Sequence, residues 1–263
     1  MNTDKRGKNY LRDFLKVAPL SHALWRAAEA LSFNQISFKH PVLDLGCGFG
    51  EFAGVVFNQI EMGIDINQKE LEQALSGKRY KKVRWADARK LPFKNNFYRT
   101  VISVSVLEHI KQAEKVIFEA NRVLKKGGIF MFSVPTIKMY DNLLVPKICN
   151  IFGFKKLGDK YFELHCRAFK HVNLRQADWW VRQLKKAGFE IVIQHGTISP
   201  TLLKLHEIFL ITAFPSQLWK LFFGKRLIMS AGIRSKILPV IFSRFVYTDK
   251  DSSINVFFLA KKQ

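Results

Sequence analysis

A glycine-rich turn between a short apolar run and a helix constrains this chain more than any other feature. The run 42–45, Val-Leu-Asp-Leu, leads directly into Gly46-x-Gly48-x-Gly50. Glycines at these positions let the backbone turn tightly and approach a ligand without interference from Cβ atoms. The pattern indicates a strand, a ligand-binding turn and a helix, although similar turns also close strands that bind nothing.

Apolar runs alternate with helix-period segments through the first half of the chain. This alternation predicts an α/β fold with a parallel sheet and right-handed crossovers. A helix over 176–187 and two further strands follow. The predicted strands cover residues 41–45, 60–64, 82–86, 100–105, 128–134, 189–194 and 253–260.

The remaining segments predict helical additions to this unit. Apolar residues from 11 to 31 recur at spacings of three and four, so we expect an N-terminal helical cap over 1–39. The main domain then spans 40–263 and carries insertions at about 136–175 and 197–250. We expect short helices and irregular structure in the first insertion. Helices of the second are expected to break at Pro215, Gly224, Gly232 and Pro239.

Two carboxylates follow later strands. Asp65 comes nineteen residues after Gly46 at the end of the second strand, where a carboxylate can accept hydrogen bonds from both ribose hydroxyls. Asp87 ends the third strand and could bind an adenine amino group or cap a helix. Glu51 stands where a dinucleotide fingerprint has its third glycine, so the loop suits a ligand without a pyrophosphate.

These motifs resemble those of the class I S-adenosylmethionine-dependent methyltransferases, specifically the branch with the quinone-biosynthesis C-methyltransferases. The resemblance implies a Rossmann-like, doubly wound sheet of seven strands in the order 3-2-1-4-5-7-6, with the last strand antiparallel. Tyr98-Arg99 and Lys126 depart from the family pattern, as does the long segment between strands six and seven. The motifs that carry the resemblance are LDLGCGFG (43–50), GID (63–65), DA (87–88), LPF (91–93), VLEHI (106–110) and RVLKKGG (122–128).

The resemblance also implies S-adenosyl-L-methionine as the cofactor and assigns its binding residues. They are, for the methionine part, Asp44, Gly46, Cys47, Gly48, Gly50 and Ser105; for the ribose, Asp65; and for the adenine, Ile66, Asp87 and Ala88.

Three histidines are the predicted catalytic residues, because transfer to an alcohol needs a base that works near neutral pH. His109 follows the fourth strand, and His165 and His171 lie in the insertion that caps the acceptor pocket in relatives. The alternative for His109 is a structural role, as a histidine in a helix next to Glu108 whose hydrogen bonds are satisfied within the fold. Tyr140 and Tyr161 are further pocket candidates for which aromatic packing is the alternative. Trp179 and Trp180 are expected to pack, and no metal site is expected because no Cys/His spacing suits zinc.

The chain is strongly basic, with 43 Lys and Arg against 21 Asp and Glu and a formal net charge of +22. Seven cations and one anion lie between Lys204 and Arg244 among many apolar residues, which suits an anionic membrane surface. A solvated lysine-rich face, a lid or a dimer surface is the alternative. Three scattered cysteines and no secretory signal or spanning stretch predict a cytoplasmic protein, peripheral on the inner membrane face.

We therefore expect a methyltransferase that acts on a hydroxyl or activated carbon of a small-molecule or lipid-linked acceptor. The motifs of base-amino and pyrimidine-C5 methyltransferases are absent from residues 103–106, so nucleic acid is a less favoured partner. RNA methylation and a non-catalytic, cofactor-binding homologue stay open as alternatives. The oligomeric state is open as well.

Overall fold

A seven-stranded sheet forms the centre of the computed structural model, which describes residues 9–210, 231–246 and 252–263. Its order is β3-β2-β1-β4-β5-β7-β6, and β7 runs antiparallel to both β5 and β6 while the other neighbours are parallel. The predicted fold class and strand order are thus confirmed. The strands are β1 (Val42–Leu45), β2 (Ile60–Asp65), β3 (Tyr80–Trp85), β4 (Tyr98–Val104), β5 (Leu124–Pro135), β6 (Phe189–Gly196) and β7 (Asn255–Lys262).

Helices cover both faces of the sheet, and each face has its own apolar core. The helices are α1 (Tyr10–Phe14), α2 (Leu20–Asn34), α3 (Glu51–Val56), α4 (Gln68–Ser76), α5 (Ala113–Val123), α6 (Met139–Asn142), α7 (Leu144–Ile151), α8 (Lys155–Ala168), α9 (Ala177–Lys186), α10 (200–210) and α11 (Ala231–Val246). One core lies between one face of the sheet and six helices, α1, α2, α3, α4, α10 and α11. The other core lies between the opposite face and the helices α5 and α9. The two N-terminal helices therefore lie directly on the sheet.

The carboxyl ends of the parallel strands converge at one edge. β1 lies between β2 and β4, with Asp44 opposite Gly63 on one side and Ile102 on the other. The chain leaves β1 toward one neighbour and returns later on the other side, which creates the switch point where ligands bind in such sheets. The glycine loop begins at this point, directly after Leu45.

The structure corrects several element boundaries. β5 begins at Leu124, four residues before the predicted start, and three helices with a 14-residue α8 occupy much of the first insertion. The predicted break at Pro239 is wrong, because α11 runs through this residue while its apolar side packs on α1 and α2. The described part of α11 begins at Ala231, so the break at Gly232 stays a prediction. Pro215 and Gly224 lie outside the described residues. Within the described part of the chain, no helix is long and apolar enough to cross a bilayer.

Candidate active site

The glycine loop has the backbone geometry that its sequence predicts. Gly46, Gly48 and Gly50 have φ angles of +72°, +52° and +81°, a region that side chains with a Cβ rarely adopt. A Cβ on Gly46 would stand 2.4 Å from a methyl group of Val106, so the loop also lies too close to its neighbour for any other residue. Gly50 then caps the amino end of α3.

A cleft of about 610 Å³, open solvent included, lies beside this loop. Three carboxylates line it, those of Asp44, Glu51 and Glu70, together with His22 and Arg26. In a chain with twice as many cations as anions, this concentration of acidic groups favours a ligand that carries positive charge.

Asp44 lies under the loop with its carboxylate buried. The Tyr80 hydroxyl donates a hydrogen bond of 2.6 Å to it. Burial raises the pKa of Asp44 to about 7, although the Tyr80 hydrogen bond opposes that rise. Cys47 is also buried, and desolvation raises the pKa of its thiol. A cationic group bound beside Asp44 would favour its ionised form.

Asp65, at the end of β2, helps to shape the loop. Its two carboxylate oxygens accept hydrogen bonds from the backbone N–H groups of Gly48 and Asn67, each at 2.9 Å. The next residue, Ile66, exposes 69% of its surface, and the Trp85 indole donates to its carbonyl oxygen at 2.9 Å. These two exposed apolar side chains form a surface suited to a flat ring. Trp85 was not among the residues chosen from sequence.

Asp87 is engaged by a neighbour in the chain. The Arg89 guanidinium donates to both of its carboxylate oxygens, at 2.7 to 3.1 Å, and lowers the pKa of Asp87. The Arg89 backbone N–H donates to the same carboxylate at 2.9 Å. A ligand amino group at Asp87 would share these acceptors with Arg89. Ala88 is buried in the core below this turn.

α2 contributes a polar group that the sequence interpretation missed. Glu29 is fully buried and accepts hydrogen bonds from Ser105 at 2.6 Å and Ser133 at 2.7 Å. Arg26 pairs with Glu29 at 2.9 Å and reaches the cleft. Ser105 lines the cleft and has a φ of +51°. A glutamate on the apolar side of an amphipathic helix was the sequence signal available for this network.

The three predicted catalytic histidines lie together, outside the lining of the glycine-loop cleft. The His109 and His171 rings stack with centroids 5.4 Å apart, and His165 is 6.1 Å from His171. Burial lowers the pKa of His165 to about 4 and that of His171 to about 3, so both are neutral at physiological pH. His206 on α10 adds a fourth ring near Phe169, and it was missed from sequence.

The cluster is joined to the cleft by the short 3-10 helix Leu107–His109, which follows the lining residue Val106. Within that helix Glu108 is buried, and desolvation raises its pKa to about 8. Its carbonyl oxygen accepts hydrogen bonds from the N–H groups of Val172 and Asn173, both at 2.9 Å. This contact fixes the chain next to His171 against the end of β4.

The aromatic candidates have structural partners. Tyr140 donates a hydrogen bond of 2.5 Å to Asp159 and packs edge-on against Phe162. Desolvation raises the pKa of Tyr161. Trp180 is fully buried in the core, with Trp179 edge-on against it. Among the described residues, no group of three or more His, Cys, Asp or Glu side chains could hold a metal ion.

The sheet order and the loop at its switch point define a Rossmann-like, nucleoside-binding fold. A methyltransferase-domain family matches residues 43–132 of the chain. A solved S-adenosylmethionine-dependent methyltransferase from Thermotoga maritima has a similar fold, with a TM-score of 0.60 and 17% identity over 93% of this chain and 92% of that one. The chain belongs to the class I S-adenosylmethionine-dependent methyltransferases.

Two curated proteins illustrate how the similarity extends along the chain. The uncharacterised protein MJ1252 of Methanocaldococcus jannaschii is 34% identical over 173 residues, which are 59% of this chain and 64% of that protein, less than two thirds of its length. A demethylmenaquinone methyltransferase of Tropheryma whipplei is 26% identical over 207 residues, covering 72% of this chain and 86% of that enzyme.

Proposed function

We propose that this protein transfers the methyl group of S-adenosyl-L-methionine to a hydroxyl or an activated carbon of a small-molecule or lipid-linked acceptor. The observation that carries the proposal is the cleft beside the glycine loop, where Asp44, Glu51 and Glu70 gather in a chain of net charge +22. The cofactor bears a positive sulfonium and an ammonium group, so an acidic cleft complements it.

The residues of the cleft fit the parts of this cofactor. Asp44 and the backbone from Gly46 through Cys47 and Gly48 to Gly50 would hold the methionine part, with Ser105 beside it. Arg26 would attract its carboxylate. Asp65, at the tip of β2, would accept hydrogen bonds from the ribose hydroxyls. When bound, the cofactor supplies a methyl group already activated by the sulfonium, so the protein need not create a strong electrophile.

The adenine would lie on the exposed side chains of Ile66 and Trp85, with Asp87 and Ala88 at its edge. An exposed isoleucine and tryptophan at neighbouring strand ends are otherwise costly to leave in water. The Asp87 carboxylate keeps its negative charge through its pairing with Arg89. It therefore stays an acceptor for an amino group at physiological pH.

The protein's main task in the reaction is then to align the acceptor with the methyl group and to exclude water. The described helices of the first insertion (136–175), together with α2 and α10, would enclose the acceptor. His109, His165 and His171 would face it, and a neutral histidine can take the proton of an alcohol. The low pKa values of His165 and His171 make His109, whose pKa is lowered less far, the best base of the three.

The basic composition also supports a second candidate, methylation of RNA, because cationic surfaces bind polyanions. An RNA substrate would give an affinity that falls steeply with salt. An acceptor at the inner membrane face would instead give activity on lipid-linked substrates, which suits a cytoplasmic, peripheral protein. A non-catalytic homologue would bind the cofactor and methylate neither class of acceptor.

Isothermal titration of the purified protein with S-adenosylmethionine tests the cofactor site. We expect micromolar binding that Asp65→Ala abolishes, while Asp141→Ala, an exposed carboxylate on α6, binds as the wild type does. A wild-type protein that does not bind the cofactor would contradict the proposal. Methyl transfer from labelled cofactor to quinone, lipid and RNA pools then separates the acceptor classes.

A further inference from the structure

The turn between α7 and α8 presents large apolar side chains to solvent. Ile151, Phe152 and Phe154 expose 72%, 70% and 63% of their surface. Ile148 and Leu157 are also exposed, three residues before and after them. Single exposed apolar residues are ordinary, but a group of five at the end of one helical hairpin marks an interaction surface. We call residues 148–157 the α7–α8 tip.

The hairpin holds this tip in a defined position. Gly153 makes the turn with a φ of +77°. The two helices touch where Gly158 faces Pro146, since a Cβ on the glycine would stand 3.2 Å from the proline Cα. The Glu207 carboxylate on α10 accepts a hydrogen bond of 2.5 Å from the Leu144 N–H and anchors the start of α7. A tip ordered in advance loses little entropy when it docks.

Cations surround the apolar group. Lys147, Lys155, Lys156 and Lys160 are exposed, and residues 144–160 contain a single acidic residue, Asp159, which accepts the hydrogen bond from Tyr140. None of the four lysines forms a salt bridge within the described ranges. Their charge is therefore available to an anionic partner.

We propose that the α7–α8 tip docks on an anionic lipid bilayer. Ile151, Phe152 and Phe154 enter the boundary between headgroups and acyl chains, and the lysines pair with anionic headgroups around them. An apolar tip ringed by lysines suits this partner better than a neutral protein groove, which would leave the lysines without counter-charges. α8 leads from this tip to His165 near its other end. The docking names the surface behind the lipid-linked acceptor of the proposed function, but it needs neither the cofactor nor the reaction, so its test can fail independently of that function.

Co-sedimentation of the whole 263-residue chain with vesicles tests the proposal in the absence of cofactor. We expect strong binding to an equimolar mixture of phosphatidylcholine and phosphatidylglycerol and weak binding to phosphatidylcholine alone. The double variant Phe152→Ser/Phe154→Ser should lower the partition coefficient at least about tenfold. This variant keeps every charge, so its loss cannot arise from the general attraction of a basic protein to anionic lipid.

Phe118→Ser on α5 is the matched control, because Phe118 exposes 48% of its surface outside the tip. It should bind as the wild type does, and thermal melts should show all variants folded. The proposal is wrong if the wild type stays in the supernatant or if the double variant binds equally well. It is also wrong if light scattering shows that the double variant only dissociates a dimer while lipid binding is unchanged.

Discussion

The carboxylate of Glu29, on α2, accepts a hydrogen bond of 2.6 Å from the hydroxyl of Ser105 at the carboxyl end of β4. The same oxygen accepts from Ser133 on β5, and the other oxygen pairs with Arg26. The side chain is fully buried, where an anion is tolerated only with partners on all sides. The Glu29 side chain thus attaches α2 to the edge of the sheet where the cofactor cleft lies.

Replacing Glu29 should therefore cost stability. In Glu29→Ala the Arg26 charge loses its partner and two serine hydroxyls lose their acceptor, so we expect the free energy of unfolding to fall by about 3–5 kcal/mol. Urea unfolding measures this change. Glu72→Ala, an exposed glutamate on α4, should change it by less than about 0.5 kcal/mol. Equal effects of the two substitutions would show that the buried network contributes little.

Gly46→Ala should abolish cofactor binding, because the new Cβ would overlap the Val106 methyl groups and the residue would keep a positive φ. We expect a loss of stability of about 2 kcal/mol. In Gly46→Ala/Val106→Ala the two overlapping methyl groups are removed, although the Val106 Cβ stays 3.1 Å from the new one, so part of the stability should return. Thermal melts and cofactor titration follow both effects.

Gly54→Ala is the matched control for that substitution. Gly54 lies within α3, and a Cβ there would meet no atom within 4 Å. Alanine is the better helix former, so this variant should gain about 0.5–1 kcal/mol and bind the cofactor normally. A Gly46→Ala protein that behaves like Gly54→Ala would contradict the assignment of the loop.

The alternation of strands and helices predicted the α/β fold class, and the resemblance of the motifs to a family supplied the strand order. Asp44 and Asp65 lie at the carboxyl ends of neighbouring parallel strands, so their proximity follows from the sheet. The contribution of Glu29 could not be predicted, since it depends on how α2 packs on strands more than seventy residues away. We expected β5 to begin at Gly128, after the charged turn 125–127. It begins at Leu124 instead, because Leu124 pairs with Tyr98 across an irregularity in the register of β4 and β5.

Asp44→Asn should raise stability at high pH while it weakens cofactor binding. Burial raises the pKa of Asp44 from about 4 to about 7, so between these pH values the folded protein holds a proton that the unfolded chain has lost. Stability contributed by this group therefore falls as pH rises through that window. Asparagine cannot ionise, so its advantage should reach about 1–3 kcal/mol at pH 8 and be small at pH 4. Melting temperatures at both pH values test this; an equal change at both would contradict the raised pKa.

His165→Phe should separate the structural role of the histidine cluster from its role in the reaction. Neither ring nitrogen of His165 has a hydrogen-bond partner among the described residues, so phenylalanine should raise the stability at pH 7 by about 1 kcal/mol. Burial lowers the pKa of His165 to about 4, so the unfolded state takes up the proton first as pH falls below about 6.5. The wild type thus loses stability from about pH 6.5 to pH 4, and the variant should lose less over that range.

The same variant should lower kcat/KM for the acceptor while the dissociation constant of the cofactor stays unchanged, because His165 lies outside the glycine-loop cleft. The acid loss should be reduced only in part, since His171 also has a pKa lowered by burial and remains. Unfolding curves between pH 4 and pH 7, together with steady-state kinetics, measure both effects. A variant that gains stability and keeps full activity would assign His165 to packing and leave His109 as the remaining base beside the cleft.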